Sequence, residues 1–139
     1  MTQLILAYNF QAKHLAKLRM AAMKLGVKVR VVEKHEYLQS LGALTGEMEG
    51  FESFYDGENF KSPMLVLCGL SEPMLHAFLS LLKASRLPPV PLKAVLTDTN
   101  RGWNSLELYD ELSKEHAAMT AGQSAHEPEA DASAPQEKP

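Results

Sequence analysis

Residues 96–106 read LTDTNRGWNSL, and positions 97–101 put two hydroxyls, a carboxylate, an amide and a guanidinium in a row. Such a set can hold an anionic ligand: Thr97 and Thr99 donate hydroxyl hydrogen bonds, Asn100 orients the bound group and a nearby cation supplies charge. The residues that follow need no ligand to account for them. Asn104 is an N-cap, Glu107 completes a capping box three residues on, and Trp103 and Leu108 occupy the two positions of a hydrophobic staple.

Two more polar residues follow apolar runs elsewhere, Asn9 after LILAY and Lys34 after VRVVE. If the strands share a direction, these ends gather at one edge of the sheet, where ligands of open α/β folds bind. The expected site is therefore a strand-end rim of Asn9, Lys34, Thr97, Thr99 and Asn100 that recognises a small anionic ligand or a protein partner, without catalysis. An enzyme built on the same rim would use Asp98 as general base, with Lys34 or Arg101 stabilising developing negative charge. A third reading is a basic face of Lys13, Lys17, Lys24, Lys28 and Arg30 that meets RNA or an acidic protein. No aromatic residues interleave these bases, so nucleic acid is the weaker partner.

Other chemistry finds little support. The histidines at 14, 35, 76, 116 and 126 include no pair at helical ligand spacing, and Cys68 stands alone inside an apolar run, so no metal is expected. Neither a G-x-G-x-x-G loop, a P-loop nor a G-x-S-x-G elbow occurs, and no cofactor is expected.

The elements that must position the rim alternate strand and helix. QLILAYN is an apolar strand, and Leu15, Leu18, Ala22 and Leu25 then recur at helical spacing until Gly26 stops the helix. VKVRVVEK alternates like a strand with one wet side. The pattern weakens between 35 and 61. PMLVLCGL is a second wholly apolar strand, Ser71 caps a helix striped by Leu75, Phe78, Leu79 and Leu82, and VPLKAVLT is a fourth strand before a last helix over 105–116.

Because the first and third strands are apolar on both faces, both must be covered on both sides and lie at the centre. The expected fold is thus α/β, a small three-layer domain with a four-stranded, mainly parallel sheet of order 2-1-3-4. The alternative is a ferredoxin-like α+β fold. The roughly 28-residue link between strands two and three, far longer than a hairpin, favours the first.

One domain over 1–118 is expected, followed by a disordered, acidic, Pro/Ala-rich tail over 119–139 with no large aliphatic or aromatic side chain after residue 120. The net charge of -3 resides in that tail, so bulk charge points to neither nucleic acid nor membrane. The apolar start is too short to span a bilayer and lacks a signal-peptide flank, and the single cysteine fits a reducing compartment; a cytoplasmic location is expected.

LILAYNF, KHEYLQSLGALTG, YDGENF with MLVLCGL, and LKAVLTDTNRGWNSLELYDELSKEH resemble the successive motifs of the bacterial domain-of-unknown-function family 3783, over about residues 4–116. Asn9, Tyr37, Gly42, Thr97, Thr99, Asn100 and Trp103 coincide with its motif positions. The resemblance implies a small cytoplasmic domain and brings no catalytic residue, cofactor or substrate.

Overall fold

A computed structural model describes residues 2–126. The strands are β1 (Leu4–Tyr8), β2 (Lys28–Val31), β3 (Met64–Cys68) and β4 (Leu92–Val95); the helices are α1 (Ala12–Lys24), α2 (Leu41–Leu44), α3 (Glu72–Ala84) and α4 (Ser105–His126). The sheet order is β2-β1-β3-β4, as the doubly apolar runs require.

Side-chain alternation divides the core into two layers. Leu6, Tyr8, Met64, Val66, Cys68 and Leu92 meet Leu41 and Leu44 of α2 and Leu108 of α4 on one face. On the other, Ile5, Ala7, Leu65 and Leu67 meet Leu18 and Ala22 of α1 and Phe78 and Leu82 of α3. Each central strand thus buries both sets of its side chains, which is why β1 and β3 carry almost no polar residue.

Two of the three strand pairs are parallel, in keeping with a mainly parallel sheet, but the shared direction of all four strands that the rim requires is not kept. β1 pairs with β2 and β3 with β4 in parallel, but β1 and β3 are antiparallel, Leu4 facing Cys68 and Tyr8 facing Met64. The long link explains this. It leaves β2 near Tyr8, descends through α2 until Glu47 accepts from Thr2 N–H below β1, then returns so that Phe60 packs against Tyr8. A link that goes out and comes back starts the next strand at the end where the last one stopped, whatever its length.

The two strand–helix–strand units are copies in geometry. β1 and β3 begin at 4 and 64, α1 and α3 begin at 12 and 72 and end at 24 and 84, a constant offset of 60. The left-handed residues correspond too: Asn9 (φ 64°) with Gly69 (φ 69°), and Gly26 (φ 72°) with Arg86 (φ 63°). Leu6 pairs with Val66, its own counterpart, so a local twofold axis passes through that pair.

Beyond the fourth strand's longer, proline-rich approach the offset becomes 64, and the match continues. Ser40 caps α2, its counterpart Asn104 precedes α4, and the two form an antiparallel bridge. Leu41 N–H donates to Trp103 O at 2.8 Å and Ser105 N–H to Tyr37 O at 3.1 Å, so each unit's exit loop completes the helix start of the other. At this crossing Gly42 lies close under Arg101 O: a Cβ there would come within 3.3 Å of that carbonyl and would push the Met48 side chain aside.

α4 continues past the expected end at 116 to His126. The rest of the expected tail, 127–139, lies outside the described residues. Among the described residues no helix is long and apolar enough to cross a membrane.

Candidate binding site

The antiparallel centre divides the five rim residues between opposite ends of the sheet. Asn9 and Lys34 lie where β1 and β2 end; Thr97, Thr99 and Asn100 lie where β4 ends, beside the start of β1. They do not form one site, and four of the five have structural partners. Asn9 adopts φ 64°, a conformation that Asn tolerates better than most residues, and donates from Nδ2 to Phe60 O at 2.8 Å. Lys34 Nζ donates to Gly57 O at 2.8 Å.

Thr97 and Asn100 close a turn on each other. Thr97 N–H donates to Asn100 Oδ1 at 2.8 Å, Asn100 N–H to Thr97 Oγ1 at 3.1 Å, and Asn100 Nδ2 to Val95 O at 3.0 Å. Asn100 is buried and both ends of its amide are engaged. Asn100→Ala strands Thr97 N–H and Val95 C=O and is expected to cost about 2–3 kcal/mol of unfolding free energy in a urea titration. A loss below about 0.5 kcal/mol would show that the amide is free for another partner.

The alternative chemistry is also dispersed. Asp98 is 94% exposed and lies 3.7 Å from Arg101, whose guanidinium reaches Glu47 at 3.2 Å. The Thr2 N–H, with Arg101 adding to it, holds the Glu47 carboxyl below its usual range. This is an open ion cluster in which Asp98 faces water. In the basic set, Arg30 is not a free cation: it pairs with Glu36 at 2.6 Å and donates to Leu44 O at 2.7 Å. Lys13, Lys24 and Lys28 remain exposed. Among the described residues no three His, Cys, Asp or Glu side chains gather to hold a metal ion.

A cleft of about 460 Å³ opens at the β2 edge, where sequence patterning is weakest, lined by Arg30, His35, Glu36, Gln39, Phe51 and Glu52 among others. Each wall has a local cause. Glu33 and Glu36 form a reciprocal capping box around the single 3₁₀ turn Lys34–Glu36, which places His35. The Gln39 amide imitates a strand, accepting from Phe51 N–H at 3.1 Å and donating to Phe51 O, and so holds the far wall. Phe54 stacks on His35 with centroids 5.8 Å apart.

Behind the cleft lies an aromatic cluster that periodicity could not reveal. Phe60 sits between Tyr37 (centroids 4.2 Å) and Tyr109 (3.9 Å), and Tyr8 touches both Tyr37 and Phe60. The Tyr8 hydroxyl bonds Ser105 Oγ at 2.7 Å and Tyr37 donates to Asn59 Oδ1 at 2.7 Å. Burial raises the Tyr8 hydroxyl well above its usual range, the Ser105 bond opposing, and pushes Tyr37 up to about 12, with the Glu33 charge adding.

Residues 63–119 match the model of a family described as a domain of unknown function, DUF3783. This segment of the chain resembles DUF3783. The DUF3783-like segment holds the second strand–helix–strand unit, the Thr97–Asn100 turn and most of α4; the cleft and the motifs of the first unit lie outside the match. No curated protein and no solved structure matches the chain.

Proposed function

We propose that this protein is a non-catalytic binding module that takes up an extended segment of a protein partner in the cleft beside β2. One observation carries the reading: the cleft adjoins an edge strand whose outer side is covered by no strand among the described residues. Val32 N–H donates to Ala7 O, so by alternation Val29 and Val31 direct their backbone groups outward. Val29 O accepts from Arg19 at 3.3 Å, which protects that part of the edge; on the outward side of Val31 no strand lies among the described residues. An added peptide strand gains main-chain bonds there, and its alternate side chains enter the cleft between His35, Gln39 and Phe51. The module works in the cytoplasm, where Cys68 stays a thiol.

The test is a random peptide library displayed on phage and selected against the full chain, followed by amide shift mapping and exchange with an enriched peptide. Enrichment, with shifts at Arg30, Gln39 and Phe51 and new protection of the Val31 amide, is the expected result. Shifts confined to the Thr97–Asn100 turn would return the site to the β4 end, and failure to enrich any peptide would remove the reading.

A further inference from the structure

Resting on that reading, we infer that the segment received by the cleft is basic, carrying Lys or Arg beside large apolar residues. The far wall belongs to the link over 46–59, which contains Glu47, Glu49, Glu52, Asp56 and Glu58 and no Lys or Arg. Glu47 is occupied by Arg101 and Thr2. The other four carboxylates are exposed; besides Arg101 at Glu47, the Lys34 ammonium is bonded into the link, at Gly57 O. Inside the cleft the Arg30 charge is matched by Glu36 at 2.6 Å, so Glu52 leaves the lining with an excess of one negative charge.

The same link exposes two phenyl rings. Phe51 is 58% and Phe54 71% exposed, and neither belongs to the two core layers. The fold gains little from apolar rings left in water, and the link reaches the core through Tyr55 and Phe60 instead. Phenyl faces among carboxylates suit a cation in two ways at once: an ion pair with the acid and attraction to the ring face. An acidic segment would meet repulsion from Glu49 and Glu52 and gain nothing from the rings.

Two fluorescent peptides test this, one alternating Lys and Leu and the other alternating Glu and Leu, titrated by anisotropy against the full chain. The Lys peptide is expected to bind at least about ten-fold more tightly at low salt and to lose most of that advantage at about 0.5 M salt. The double variant Phe51→Ala, Phe54→Ala, checked by circular dichroism for an unchanged fold, should weaken Lys-peptide binding by roughly ten-fold. The pair Glu49→Lys, Glu52→Lys should reverse the preference. Equal binding of the two peptides, or Lys-peptide binding indifferent to the phenyl and charge variants, overturns the inference while leaving the cleft reading intact. If neither peptide binds and no library peptide does, both fall.

Discussion

Raising the pH from about 8 to about 11 will cost this fold on the order of 5 kcal/mol, enough to unfold a small domain of ordinary stability. The cause is three protons held inside the core. Cys68 lies on the wholly buried β3, where burial, with the Glu47 charge adding, pushes its thiol up to about 12 from an ordinary 9.0. Tyr37 is pushed up to about 12 from 10.0, and Tyr8 rises further. In the unfolded chain these groups release their protons near their ordinary values, so the unfolded state binds fewer protons than the native one at alkaline pH. Their contribution is intact below about pH 9, declines first through Cys68 and then through the tyrosines, and is lost as pH passes the native values. Urea titrations at successive pH values measure the slope, which should approach three protons above pH 10. Cys68→Ala should remove the larger part of the decline between about pH 9 and 10 and leave the tyrosines' share, which grows above pH 10. A stability flat to pH 11 would mean that these side chains are open to water.

Much of the scaffold was legible because it rests on alternation. Two runs without polar residues had to be the doubly covered centre, and the wet sides of VKVRV and PLKAV had to be edges. Cap chemistry was equally local: Ser71 accepts from Met74 N–H, and Asn104 and Glu107 exchange bonds at 2.9 Å. The sense of β3 was not legible, because the length of the link over 32–63 says nothing about whether it returns. That one sign decides whether Asn9 and Asn100 share a rim. The Thr97–Asn100 turn could have been recognised, since Thr-x-x-Asn has the same three-residue spacing as Asn104-x-x-Glu107 and satisfies a turn in the same way. Polar residues clustered after a strand were thus largely consumed in ending it. The twofold relation of the halves was hidden for another reason: what repeats is spacing and handedness, Asn9 with Gly69 and Gly26 with Arg86, while side-chain identities differ.

The cleft depends on one residue in the region of weakest pattern. Phe60→Ala is expected to cost about 3–5 kcal/mol, because Phe60 is buried between Tyr37 and Tyr109 and the space it leaves is lined by rings fixed elsewhere. Tyr37 is tied by its hydroxyl to Asn59 Oδ1, Tyr109 by its hydroxyl to Ser62 N–H, and Tyr8 by its hydroxyl to Ser105, so none can collapse inward without straining a hydrogen bond. Phe60→Leu retains apolar volume but not stacking and should cost only about 1–2 kcal/mol. The effect extends beyond stability, because Phe60 and the Asn9 bond to its carbonyl are where the returning link is fixed to the sheet. With that anchor loosened, the link near the cleft relies on lighter ties, among them Gln39 to Phe51 and Ser53, Tyr55 N–H to His35 O and Lys34 to Gly57. Peptide binding should therefore fall in the leucine variant at temperatures where it remains folded. Urea unfolding together with anisotropy separates the two losses: a leucine variant that binds as well as the parent would show that the cleft wall is held independently of Phe60, and an alanine variant losing less than about 1 kcal/mol would place Phe60 outside the core.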